Sequence, residues 1–217
     1  MALTLCAATN RSANGAETNT VDAWLARQAT ILTWSADFTQ TRALKTLTAP
    51  LKAQGRVWFA APNRFRWELG SPPRTIALRQ PDEMDVIYPL LKRAERYPLT
   101  GERAGQWGSA LALLEAGFPR NRPDLEAKFE IGRERISGDR VSIDLKPRSL
   151  SARKIIPRIE LVISSQDLSL LSTELEFPDG STLRNDFANP QLNPTLDPEL
   201  FQPDFKPEYK IVEPLKH

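Results

Sequence analysis

Along most of this chain apolar and polar residues alternate with a period of two, and helical spacing interrupts the alternation in a few places only. Val21, Trp24, Leu25, Gln28 and Leu32 fall on one helical face, which predicts an amphipathic helix over residues 20–32 with Asn19 or Thr20 near its N-cap. The period then changes. Trp34, Ala36, Phe38 and Gln40 alternate with Ser35, Asp37, Thr39 and Thr41, as a half-buried strand requires. Residues 43–53 read as a loop or strand edge interrupted by Pro50. Arg56–Phe59 is a strand ending at an Ala61-Pro62-Asn63 turn. Phe65, Trp67 and Leu69 then oppose Arg64, Arg66 and Glu68 across the next strand, and Gly70-Ser71-Pro72-Pro73 closes it. Residues 75–79, 84–88 and 91–97 are three further strands, with turns so close that neighbours pair antiparallel.

Residues 102–117 break this meander. Trp107, Ala110, Leu111, Leu114 and Phe118 share a helical face, with Gly117 or Pro119 as the stop, and 123–128 reads as another helical turn. Strands resume with Val141, Ile143 and Leu145 alternating against Arg140, Ser142 and Asp144. Segments 155–164 and 168–177 follow, then a Pro178-Asp179-Gly180 hairpin turn and a strand marked by Leu183 and Phe187. The proline-rich tail from Asn189 is expected to lie over the barrel. About ten strands and two or three helices make this a mainly β (α+β) chain.

Composition removes several function classes. Lys and Arg number 29 against 27 Asp and Glu, a net charge of +2 that carries no global signature of nucleic-acid binding. The one histidine is His217 and the one cysteine Cys6, so no histidine triad, intramolecular disulfide or thiol–histidine metal site can be assembled. There is no Gly-rich phosphate loop, Cys-x-x-Cys or serine elbow, and the reading is a non-enzyme without metal or cofactor. The carboxylates Asp82, Glu83 and Asp85 read as a solvated acidic turn. Residues 1–8, MALTLCAA, read as the tail of a secretory signal, with residues 1–19 a signal remnant and linker and 20–217 a single domain.

Several stretches resemble the periplasmic outer-membrane lipoprotein carrier family, the LolA-like proteins. An N-terminal helix leads into Ala36-Asp37-Phe38-Thr39-Gln40, similar to the family's Phe-Thr-Gln strand. Residues 55–68, GRVWFAAPNRFRWE, resemble its Gly-x-hydrophobic strand, Pro-Asn turn and aromatic-x-Trp strand. Met84 to Pro89 resembles the strand ending in Tyr-Pro, and Phe187, Asn193, Phe201 and Pro203 its closing segment. The resemblance spans roughly residues 21–205. It implies an incomplete, strongly curved antiparallel β-barrel with helices closing the mouth. It also implies a monomeric periplasmic carrier that shields acyl chains of lipoproteins, or of another lipid, between an inner-membrane transporter and an outer-membrane acceptor. One departure is plain: where the family has an arginine directly before the Pro-Asn turn, this chain has Ala61.

On that resemblance Phe38, Val57 or Trp58, Phe65, Trp67 and Leu69 line the cavity, and Leu111 and Leu114 form the lid. Periodicity alone would make the same residues ordinary core of a β-sandwich. Arg64 and Arg66, with Arg74, are headgroup or partner contacts or else a solvated strand face. The competing function is a half-barrel sensor that binds lipid or lipoprotein and reports to a protein partner. A carrier copurifies with lipid and exchanges it with vesicles; a sensor holds a stable partner and transfers nothing.

Overall fold

The computed structural model describes residues 20–100 and 118–214. Helix α1 (Thr20–Gln28) precedes a six-strand meander: β1 (Thr33–Ala43), β2 (Leu51–Ala60), β3 (Arg64–Leu69), β4 (Thr75–Arg79), β5 (Glu83–Tyr88) and β6 (Arg93–Pro98). After α2 (Arg122–Lys128) come β7 (Phe129–Ser137), β8 (Arg140–Pro147), α3 (Leu150–Ile155), β9 (Arg158–Ser164), β10 (Leu170–Glu176), β11 (Thr182–Leu192) and the short β12 (Lys210–Val212). All twelve strands form one sheet in the order β12-β6-β5-β4-β3-β2-β1-β11-β10-β9-β8-β7. Two antiparallel meanders thus meet at the long β1–β11 pairing, and β12 joins β6 in parallel. The outermost strands, β7 and β12, are not paired with each other, so the sheet is open.

Besides the short β12 in the tail, three elements escaped the periodicity. Strand β7 carries Glu130, Gly132, Arg133, Glu134 and Arg135 around a register shift between Ile131 and Glu134, which destroys its alternation. Helix α3 is too short to show a period, although Ser149 caps it by accepting from the Ala152 N–H. Strand β11 runs past Asn189 and Pro190, where a tail was expected. Those two residues bulge opposite Ala36, and Asn189 takes the left-handed φ of 53°. The helix expected over 102–117 lies outside the described residues.

The two meanders bury their apolar residues differently. On β8–β10 the inward residues Val141, Ile143, Leu145, Ile159, Leu161, Ile163, Leu170 and Leu175 form one buried cluster with Val21, Trp24 and Leu25 of α1 and with Leu125 and Phe129. Helix α1 therefore plugs the concave side of this half. The outward positions of the same strands are charged. Arg135 and Arg158 converge on Asp144 and Glu160, Arg158 also reaches Glu176, and Arg184 pairs with Asp186 and Glu174. Burial alone would raise the Asp144 carboxyl, but hydrogen bonds from Arg135 and Arg158 outweigh it and hold the group below the usual carboxylate range.

On β4–β6 the outward face is the apolar one. Ile76, Leu78, Ile87 and Ala94 form a buried cluster, covered by Phe205 and Tyr209 of the C-terminal tail. The tail is anchored by a 3-10 turn over Pro198–Phe201: Arg66 donates to the Leu200 carbonyl at 3.2 Å and the Gln80 side-chain amide to that of Phe201. Asp85 lies beneath this strap with 0% exposure. Its carboxylate accepts two bonds from Arg96, at 2.9 and 3.1 Å, and the Arg96 guanidinium sits 5.7 Å from the Phe205 ring centroid. Asp85 is thus a paired, buried anion, which corrects the expectation of a solvated acidic turn. Alternation puts Asp85 beside Ile87 on the face that the tail covers, and only the tail's path reveals that this face is dry.

Candidate functional site

Between these two regions, strands β1–β3 direct all their aromatic residues except Trp58 into the concavity. Register aligns Trp34 with Phe59, Ala36 with Val57 and Phe38 with Gly55, and then Phe59 with Phe65, Val57 with Trp67 and Gly55 with Leu69. A Cβ on Gly55 would overlap both the Phe38 ring and the Glu68 carbonyl. The glycine therefore lets Phe38 lie flat across β2 and meet Trp67, with ring centroids 4.2 Å apart. Phe187 of β11 stands edge-on to Trp34 and Trp67, at 5.3 and 6.1 Å. Phe118 stacks on Phe59 at 4.5 Å and an interplanar angle of 11°. Six aromatic rings thus form one continuous wall.

The expected lining residues separate into two layers. Phe38 and Val57 are buried and form the floor. Phe65, Trp67 and Leu69 pack on that floor and are half-buried. The choice between Val57 and Trp58 falls to Val57: Trp58 faces outward, 5.2 Å from the Arg56 guanidinium. Leu111 and Leu114 lie outside the described residues. Trp34, Phe59, Phe118 and Phe187 complete the wall without having been singled out as lining residues. Trp34 and Phe59 share a strand face with Phe38 and Val57, so their alternation carried the signal; Phe187 needed the β1–β11 register.

At one end the wall opens into a cleft of ≈ 380 Å³ lined by Phe59, Asn63, Arg79, Phe118, Leu125 and Phe129, among others. That volume lies within the ~300–1,000 Å³ typical of small-molecule sites. Arg79 is held at its edge by donating to the carbonyls of Asn63 and Gln80, at 2.5 and 2.9 Å. Ala61 packs against the aromatic cluster beside it. Arg64 is exposed, whereas Arg66 lies on the outer face, bonded at 2.6 Å to Glu68 and to the tail. Arg66 is therefore committed to anchoring the strap and stands on the opposite face from the aromatic wall.

Farther along the concave face the lining becomes polar. Register puts Tyr88, Glu95 and Tyr97 on the same face as Ala77 and Val86. Glu95 accepts from the Tyr97 hydroxyl at 2.8 Å and from Arg93 at 2.7 Å. Burial first, then the Glu95 hydrogen bond, pushes the Tyr97 phenol well above its ordinary range. Among the described residues no group of three or more His, Cys, Asp or Glu is arranged to hold a metal ion. The surface offers apolar contact and ring faces and is suited to non-covalent binding.

Solved structures share this fold at low identity. An uncharacterized conserved protein from Thermus thermophilus matches with a TM-score of 0.52 and 14% identity, over 90% of this chain and 99% of that one. A putative outer membrane lipoprotein-sorting protein domain from Vibrio parahaemolyticus matches with a TM-score of 0.51 and 10% identity, over 84% and 94%. A DUF1329 family protein from Desulfovibrio piger matches with a TM-score of 0.50 and 11% identity, over the same shares. No curated protein sequence matches significantly. The family model for the outer membrane lipoprotein carrier protein LolA matches residues 29–204, the span from the end of α1 to the tail strap, and the chain belongs to that family.

Proposed function

We propose that the protein is a periplasmic carrier that shields lipid acyl chains, of lipoproteins or of another lipid, during passage between inner and outer membrane. The observation that carries this reading is the half-buried layer Phe65, Trp67 and Leu69, seated on the buried floor of Phe38 and Val57 in a member of the lipoprotein carrier family. Each CH₂ transferred from water to such a surface gains about 0.8 kcal/mol. A filled core offers no such surface, because native packing leaves few voids. In this reading a donor in the inner membrane loads the protein and an acceptor in the outer membrane unloads it. Catalysis has no part in it, and Ala61, in place of the family's arginine, bears on which lipid is accepted. No helix among the described residues is long and apolar enough to cross a membrane.

Mass spectrometry of an organic extract of the protein purified from the periplasm tests the cargo. Titration of the delipidated protein with an apolar fluorescent probe tests the site. The expected results are a defined lipid class and saturable probe binding. Delipidated protein that binds no apolar probe would overturn the reading.

A further inference from the structure

The six N-terminal strands share one end at which three connections emerge: residues 44–50 between β1 and β2, 70–74 between β3 and β4, and 89–92 between β5 and β6. Register brings them to the same end, since Arg42 faces Leu51, Leu69 faces Thr75 and Tyr88 faces Arg93. Arg42, Lys45, Lys52, Arg74, Lys92 and Arg93 are all exposed there. Residues 41–52, 70–75 and 88–93 contain no Asp or Glu. Acidic neighbours offset part of this charge: Glu95 pairs with Arg93 at 2.7 Å, Glu208 lies 4.0 Å from Lys92, and Lys45 acts on Asp179. A cationic excess remains.

The same end displays apolar side chains without cover. Leu90 and Leu91 are 73% and 71% exposed at the β5–β6 tip, and Leu51 and Leu47 are 54% and 45% exposed on the β1–β2 hairpin. The tip is built to present them. Residues Pro89–Leu91 form a 3-10 turn closed by the Lys92 N–H on the Pro89 carbonyl, with Lys92 in the left-handed region at φ 46°. The opposite turns, at 61–63 and 80–82, carry Asn63 and Asp82 and no adjacent leucine pair.

We infer that this end is a docking rim for bilayers containing anionic phospholipid. The leucines enter the acyl boundary while Lys and Arg stems reach back to the phosphates. Charge complementarity selects an anionic lipid surface over a neutral one. The rim does not depend on lipid occupying the aromatic wall, because none of its residues belongs to that wall.

Flotation of the delipidated protein with vesicles of phosphatidylglycerol and phosphatidylethanolamine, against vesicles of phosphatidylcholine alone, tests it. The expected result is preferential binding to the anionic vesicles that weakens in high salt. The double variant Leu90→Ser, Leu91→Ser and the charge reversal Lys92→Glu should each weaken vesicle binding about tenfold. Both should leave the urea midpoint and the apolar-probe affinity unchanged, since their side chains stand in solvent. Wild-type protein that ignores anionic vesicles, or variants that bind like wild type, would overturn the rim and leave its leucines to a protein partner. Loss of probe binding alone would count against the carrier reading and not against the rim.

Discussion

The two halves of the sheet solve the burial problem in opposite ways. Strands β7–β11 turn aliphatic residues inward onto α1 and present an Arg–Asp–Glu lattice to water. Strands β4–β6 turn Ile76, Leu78, Ile87 and Ala94 outward, beneath the C-terminal strap. The difference teaches how one sheet can bury apolar residues on opposite faces in its two halves. A strand stabilised by a core on its outer side does not need its concave side filled. The strap supplies β4–β6 with such a core, and Phe65, Trp67 and Leu69 of the adjoining β3 are left only partly buried. The plugged half acts as scaffold.

Substitutions on the two sides should therefore differ in cost. Leu161→Ala, in the plugged half, removes a side chain with 0% exposure and should destabilise by about 2–5 kcal/mol in urea unfolding. Trp67→Ala in delipidated protein should cost well below the ~3–5 kcal/mol of a core tryptophan, and should weaken the apolar probe instead. Equal core-type losses at both positions would erase the comparison and leave a solid β-domain.

The strap gives a second, smaller effect. Phe205 is half-buried, so Phe205→Ala should cost about 1.5 kcal/mol, roughly half of what full burial contributes. It also opens the Asp85–Arg96 pair to water. Hydrogen exchange should quicken in β4–β6 and not in β8–β10. Uniform quickening would mean that the two cores do not act separately.

The smallest effect is on the charged lattice. The Asp144 carboxyl is depressed in the folded chain, so its contribution is present above the unfolded value of about 3.9 and is lost as pH falls through the folded value. Asp144→Asn should cost about 1 kcal/mol or less at neutral pH, as half-exposed ion pairs do, and nothing once the wild-type group is protonated. Unfolding free energies measured across that acid range check it. A gap that persists below it would assign the loss to packing and not to charge.

What the sequence determined by itself was the local order. The period-two runs at 34–40, 56–59, 64–69, 141–145 and 183–187 all became strands, because alternation and turn chemistry are properties of neighbouring residues. The inward set Phe38, Val57, Phe65, Trp67 and Leu69 was legible for the same reason. Tertiary structure decided whatever depends on distant partners. It brought β11 beside β1 and so set Phe187 against Trp67. It sent the tail across β4–β6, which turned Asp85 from an expected surface carboxylate into a buried one and committed Arg66 to an anchor. Alternation states that two sets of side chains face opposite ways; which face is dry follows from what the rest of the chain lays over it.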